Sequence, residues 1–329
     1  MSDLRQDPVS KDWIIIAPGR AQRPHVLVAE KKKKRYSSPQ AACPFEDLEK
    51  SGNWPPILSY PNEKKWEAVV IPNKYPALVH REACPVFYKR GPYELTSGIG
   101  HHDLLVTRNH TKNIADLPIK KAVETFQLLQ KRYRILSEDK CLVYASSFFN
   151  WGPSAGASVT HPHYQVLTLP IIPPHIQHSL DGSRDYFRKH HKCVHCAVIR
   201  YEIKEKSRVI GENRHAVAVN PFVSQNPFEI RIFPKRHLPF FEKTSTADIQ
   251  GIVALLQQSI RQIRKHLKDP DFNFFIHTAP IKKQNLYRYY HWHIELVPKV
   301  SIPAGFELST GVEINAVDPN DAAALFRKK

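Results

Sequence analysis

Two short stretches place a pair of histidines one residue apart, His161-Pro162-His163 and His291-Trp292-His293. At the start of a β-strand this spacing sends both imidazoles to one face, so each pair can address a single site. An imidazole nitrogen is nucleophilic at neutral pH and is also a common metal ligand; satisfied structural histidines give the same pattern. Context separates the two copies. The stretch Asn150-Trp151-Gly152-Pro153-Ser154-Ala155-Gly156-Ala157-Ser158 leads directly into the first pair, and such a loop can bring backbone N–H groups close to a phosphate. The approach to the second pair, Tyr287-Arg288-Tyr289-Tyr290, has no small-residue loop.

These groups need a frame, and the chain supplies one order of elements twice. In the first half, Cys43-Pro44-Phe45-Glu46 precedes strand candidates over 66–71 and 103–107, with His110 just beyond. Ile119, Val123, Phe126, Leu129, Tyr133 and Leu136 then recur at three-and-four spacing, which predicts a helix starting near Asp116 with Pro118 in its first turn. Strands over 141–149 and 164–169 complete the unit. The second half repeats the order with Cys193-Val194-His195-Cys196, strands over 215–219 and 228–233, and His237. Its helix opens on a capping box, Ser245 with Asp248, and shows Ile249, Ile252, Val253, Leu256, Ile260, Ile263 and Leu267 on one face before Pro270. A strand over 272–277 and another entered through His291 follow. Strands joined directly, with one long helix per half, predict an α+β fold of two tandem domains, each an antiparallel sheet with packed helices. Pro170, Pro173 and Pro174 interrupt the pattern and set the boundary, giving domains over 1–172 and 173–329.

The formal charge of +17 calls for an anionic partner: nucleic acid, a membrane surface or a phosphorylated small molecule. The run Lys31-Lys32-Lys33-Lys34-Arg35, followed by Ser37, Ser38 and Pro39, reads as a solvated loop and is assigned no chemistry. Otherwise the basic residues are dispersed and no nucleic-acid motif stands out, so nucleic acid is not the expected partner. No apolar run approaches the roughly 20 residues needed to cross a membrane, and nothing resembles a signal peptide, so a soluble cytoplasmic protein is expected. Five scattered cysteines argue against a disulfide framework and leave metal binding as the better use for any close pair.

The stretch from Asn150 to Gln165, with Gly156-Ala157-Ser158 leading to His161-Pro162-His163-Tyr164-Gln165, resembles the active-site motif of the galactose-1-phosphate uridylyltransferase family, a branch of the histidine triad superfamily. Arg5-Gln6-Asp7-Pro8, Trp13 and Arg20-Ala21-Gln22-Arg23-Pro24 resemble that family's amino terminus, and Ala304-Gly305-Phe306-Glu307-Leu308 its segment after the second histidine pair. The duplicated unit is what this resemblance implies: two histidine-triad-like domains. It also implies that His163 is the nucleophile and Gln165 its phosphate-binding companion, with Asn150, Gly156, Ala157, Ser158 and His161 around the nucleotide phosphate. Arg20 and Arg23 suit a diphosphate through forked, charge-assisted hydrogen bonds. The implied reaction moves UMP from UDP-glucose to galactose 1-phosphate, or back from UDP-galactose, through a covalent nucleotidyl-histidine, which splits one exchange into two similar steps. In hydrolytic relatives the third motif position is histidine; Gln165 donates a hydrogen bond but shuttles no proton, which favours transfer. Because the histidine chemistry is indifferent to the base, an ADP-sugar phosphorylase or adenylyltransferase is the alternative.

Cys193, Cys196, His237 and His291 supply four N/S ligands for a tetrahedral structural zinc, an arrangement that related histidine-triad proteins use. The equivalent set is Cys43, Glu46, His110 and His161, in which Glu46 stands where a second cysteine is expected. In the second copy Glu295 takes the third motif position, so His293 is read as structural, or as joining Phe306 and Glu307 at the sugar end of a partner subunit's site. The family generally builds its active sites across a dimer, and a homodimer is expected here.

Overall fold

Alternating burial along short β-branched and aromatic runs builds most of the strands, and two long amphipathic helices supply the face on which they pack. The computed structural model describes residues 2–22 and 39–328, so Arg23 and the lysine run lie outside the described residues. A terminal hairpin, β1 (Asp3–Gln6) and β2 (Trp13–Ile16), is antiparallel. The first half then runs β3 (Leu58–Tyr60), β4 (Ala68–Pro72), an exposed hairpin of β5 (Tyr88–Arg90) and β6 (Tyr93–Leu95), β7 (His102–Thr107), α1 (Ile119–Glu138), β8 (Tyr144–Trp151) and β9 (His163–Leu169). The second half runs α2 (Pro174–His190), α3 (Val194–Glu205), β10 (Val209–Glu212), β11 (Ala216–Val219), β12 (Ile230–Pro234), α4 (Thr246–His266), β13 (Phe272–His277) and β14 (His293–Pro298). A short α5 (Gly305–Thr310), β15 (Ile314–Asn315), which adds to β2 in parallel, and α6 (Pro319–Arg327) follow.

Both halves enter one ten-stranded antiparallel sheet of order β10-β11-β12-β14-β13-β8-β9-β7-β4-β3. Read inward from either edge, the two halves give the same order, so the repeat is carried into the sheet as a pseudo-two-fold. They meet at β8 and β13, where Phe149 faces Phe274 and Asn150 faces Asn273. One face carries the main core: α1 and α4 bury Phe126, Leu129, Tyr133, Ile252, Leu256 and Ile260 against Phe149, Tyr164, Phe274 and Ile294. At about 25 cal/mol per Å² of apolar surface, each such fully buried side chain contributes about 1.5–3 kcal/mol. The other face carries His163, Gln165 and Asn150.

Several expectations are corrected by local physics. Ile119 is exposed rather than buried, because Pro118 is the N-cap of α1 and Ile119 its first residue; the turn near Asp116 is a separate short 3-10 helix capped by Asn113. The prolines near 172 do not simply interrupt the chain: Pro174 opens α2, since a proline at the first helical position gives up no needed N–H. Neither α2 nor α3 was expected. One disulfide is present, Cys84–Cys141, between residues 57 apart that only folding brings together, and Cys43, Cys193 and Cys196 remain free.

Candidate active site

His163 is the first residue of β9, flanked by β7 and β8. Period-two alternation puts His163 and Gln165 on the sheet face opposite α1, with Tyr164 and Val166 in the core. Asn150 lies beside His163 on β8 by the same register. The His163 ring is 6% exposed and meets the edge of Phe45 at 5.3 Å. Its Nδ1 lies 2.9 Å from the His161 carbonyl. A carbonyl only accepts, so Nδ1 carries the proton and Nε2 keeps its lone pair. Burial pushes the His163 pKa down, against the opposing hydrogen bond to His161, which holds the imidazole neutral and nucleophilic.

Two amides on this sheet face are held through their oxygens. Asn273 on β13 donates Nδ2 to Asn150 Oδ1 at 2.8 Å and to the Ala155 carbonyl at 2.8 Å. Gln165 Oε1 lies 2.9 Å from His102 Nε2. With their oxygens engaged, Asn150 and Gln165 have NH2 groups left to donate, which suits an anion. The loop between β8 and β9 is stiff. Gly152 has φ +88°, and a Cβ there would run into the Asp271 carboxylate, which accepts from the Ser154 N–H at 2.8 Å. Gly156 is left-handed at φ +83°. The N–H groups of Ala155, Gly156 and Ala157 bond to the Gly152 and Pro153 carbonyls. Four consecutive N–H groups, those of 154–157, thus already have acceptors, Ser154's on Asp271 and the other three within the loop. Ser158 is exposed at its end.

His161 lies on the same side as His163, the Phe45 ring meeting the two at 5.7 and 5.3 Å, but its own nitrogens are engaged elsewhere. Its ring is 1% exposed, donates Nε2–H to the Thr107 carbonyl at 2.6 Å and turns Nδ1 toward Cys43 Sγ at 3.5 Å and Glu46 Oε1 at 3.3 Å. His110 Nδ1 lies 2.9 Å from the same Glu46 oxygen. Burial pushes the Glu46 pKa up, but hydrogen bonds to Gln40 and His110 and the charges of His161 and His110 outweigh it, so the carboxyl stays ionised. In the second half Cys193, Cys196, His237 and His291 converge likewise. His237 and His291 donate Nε2–H to the Arg288 and Pro234 carbonyls at 2.7 and 3.0 Å, and their Nδ1 atoms lie 3.3 and 3.4 Å from Cys196 Sγ. The Cys196 thiol is pushed well below its ordinary value by the Cys193 hydrogen bond, burial opposing and His237 and His291 adding to it. A tetrahedral zinc with bonds of about 2.3 Å to sulfur and about 2.0 Å to nitrogen sets an S···N edge of about 3.5 Å. Both clusters have donor sets, oriented imidazoles and edge lengths that fit such an ion.

The second copy has the same backbone plan and different chemistry. His293 Nδ1 faces the His291 carbonyl at 3.4 Å, as His163 faces His161, but its Nε2 lies 3.2 Å from Glu295 Oε1. Glu295 is held in turn by Arg231 at 3.0 Å, whose guanidinium keeps that carboxyl far below its usual range despite burial. The nitrogen that would attack is engaged. Arg20 is half-buried in the short helix Pro18–Gln22. Phe306 is exposed in α5, and Glu307 accepts from the Ala304 N–H at 3.0 Å. Among the described residues none of these three has a hydrogen bond, ion pair or ring contact with His163, Gln165 or Asn150. Asn273 and His102 are the residues that sequence reasoning missed. Their signal is the strand register, which period-two patterning does not give.

Comparison with known proteins gives the family. The profile of a domain of unknown function, DUF4921, matches residues 99–327. ADP-glucose phosphorylase of Arabidopsis thaliana is 34% identical over 99% of this chain and 92% of its own length. Galactose-1-phosphate uridylyltransferase of Thermotoga maritima is 27% identical over 100% of this chain and 98% of its own. The crystal structure of an Arabidopsis thaliana ADP-glucose phosphorylase with bound ADP-glucose superposes with a TM-score of 0.85 at 32% identity, covering 100% of this chain and 99% of that one. With a duplicated antiparallel sheet, a buried His163 whose Nε2 has no hydrogen bond among the described residues, and relatives matched end to end, the chain belongs to the galactose-1-phosphate uridylyltransferase-like family of nucleotidyltransferases.

Proposed function

We propose that the protein is an ADP-sugar phosphorylase that works through a nucleotidyl-His163. The observation that carries the chemistry is the fixed tautomer of His163, with Nδ1–H on a carbonyl, Nε2 without a hydrogen bond among the described residues, and two oriented amides on the same sheet face. In the first step Nε2 attacks the α-phosphorus of ADP-glucose, and the bond from that phosphorus to the bridging oxygen breaks with its electrons leaving on glucose 1-phosphate. Nucleotidylated imidazole with Nδ1–H is cationic, so the His161 carbonyl stabilises the product of attack more than the free ring. In the second step an orthophosphate oxygen attacks, the P–N bond breaks and ADP leaves. Each leaving group is already a weak base, and no proton shuttle is needed at Gln165. The choice of adenine and phosphate rests on the 34% relative and on the structure bearing ADP-glucose. The 27% uridylyltransferase supports a second reading, exchange of UMP between UDP-glucose and galactose 1-phosphate.

Incubation with α-labelled ADP-glucose should leave acid-labile, base-stable label on His163, and added phosphate should release ADP. Label from UDP-glucose alone, discharged by galactose 1-phosphate, would select the second reading. No label from either, with turnover intact, would overturn the covalent route.

We further propose one zinc on Cys193, Cys196, His237 and His291 and one on Cys43, Glu46, His110 and His161, each supplying a fixed tetrahedral node. The second node would anchor His161, whose carbonyl orients His163. A homodimer is proposed as well: a partner subunit would bring Arg20, Phe306 and Glu307, which among the described residues do not contact His163, Gln165 or Asn150, to that site, together with Arg23. No helix among the described residues is long and apolar enough to cross a membrane; the cytoplasm is the proposed compartment.

A further inference from the structure

We infer that His102 is the positioning residue that aims the Gln165 amide at the transferred phosphoryl group. The inference rests on the proposed role of His163 and extends the machinery into the 73–101 segment. An amide can face a phosphate with either end. Its NH2 attracts the anion and its oxygen repels it, so which end faces the site decides whether Gln165 helps or hinders.

The structure fixes that choice through a chain of three groups. The Ala77 N–H donates to His102 Nδ1 at 3.1 Å. A backbone N–H has no acceptor role, so Nδ1 is bare and the neutral imidazole carries its proton on Nε2. That Nε2 lies 2.9 Å from Gln165 Oε1 and donates to it. The amide oxygen is thereby held away from the phosphate and its NH2 is left to donate. Asn73 Nδ2 lies 3.0 Å from Nε2 and 3.4 Å from Nδ1; with the proton on Nε2, only Nδ1 can accept from it, and the Asn73 backbone N–H bonds to the His102 carbonyl at 2.8 Å. The turn that follows β4 thus meets the ring at Ala77 and Asn73 and fixes the His102 main chain as well.

The second half shows what the same frame does with other residues. Strand register matches Gln165 to Glu295, Leu104 to Arg231 and His102 to Glu229. There Arg231 bonds Glu295 at 3.0 Å and Glu229 at 2.9 Å, an ionic knot that engages Glu295 and, through it, His293. The neighbouring strand controls the third motif position in both copies. In the first it leaves a neutral amide with a donor to spare; in the second it closes the site.

The test is a double-mutant cycle on the half-reaction, following label transfer from ADP-glucose to His163 by rapid quench. His102→Phe keeps the ring and removes the donor, and should slow the transfer step on the order of 10- to 100-fold with substrate binding within about twofold. His102→Gln, which returns a donor near the Nε2 position, should recover most of the rate. In a Gln165→Ala background the His102→Phe change should add nothing further, because the amide it aims is gone. Additive losses, or a His102→Gln enzyme no faster than His102→Phe, would overturn the inference while leaving a labelled wild-type His163 in place. Wild-type protein that takes no label would instead fail the proposed function itself.

Discussion

At the scale of single residues the site works by removing choices. His163 has one tautomer because a carbonyl occupies its Nδ1, and Asn150 and Gln165 have one amide orientation each because Asn273 and His102 hold their oxygens. Gly152 removes a choice of another kind: with φ +88° and the Asp271 carboxylate where a Cβ would stand, no other residue fits. Gly152→Ala should destabilise the protein by about 1–3 kcal/mol through the strained backbone alone, and the shift of the loop should also slow transfer. Thermal unfolding beside the exchange assay checks both. An unchanged melting temperature would show that the loop relaxes freely and is not the stiff element described here.

At the scale of elements, α4 shows how a helix is started and why that matters to the sheet beneath it. Ser245 Oγ accepts from the Asp248 N–H at 3.2 Å, and Asp248 also binds His215 at 3.0 Å and Arg236 at 2.6 Å. One carboxylate thus links the helix start to the turn before β11 and to the end of β12. Ser245→Ala should cost about 1 kcal/mol of stability, read as a lower denaturation midpoint with an unchanged slope. Burial raises the Asp248 pKa, but the Ser245, His215 and Arg236 contacts together lower it further. A carboxyl with a depressed folded pKa stabilises above its unfolded value, about 3.9, and that contribution fades as pH falls through the folded value. Asp248→Asn should therefore be less stable than wild type at neutral pH, and the gap should narrow below about pH 4. A gap independent of pH would assign the loss to packing instead.

At the scale of the whole molecule, the pseudo-two-fold sheet carries one copy of the motif that ends on the neutral Gln165 and one closed by the Arg231–Glu295 ion pair, and each histidine pair is tied at its outer member to a cluster of metal-type donors. Replacing Cys193 and Cys196 together with alanine should remove about one equivalent of zinc by elemental analysis and lower the melting temperature, since structural zinc binding is folding free energy. Zinc content unchanged by that replacement would refute the cluster as a zinc site. Cys43 and Glu46 offer a contrast: their loss should release the second equivalent and also slow His163 labelling, because their cluster holds His161 and through it the nucleophile's Nδ1 partner. Much of this was legible in the chain alone. Apolar spacing predicted α1 and α4, the strand expected over 272–277 matches β13 to the residue, and the repeated order of cysteine motif, strands, helix and histidine pair revealed the duplication. The small-residue loop singled out His163 over His293, since a loop's composition is a local property. What only the tertiary structure decided depends on which strands become neighbours. The joining of both halves through β8 and β13 brought Asn273 to Asn150, the β7–β9 register brought His102 to Gln165, and folding brought Cys84 to Cys141. Periodicity reports which face of its own element a side chain takes, and it carries no information about the partner across the sheet, because hydrogen-bonded neighbours can be any distance apart in sequence.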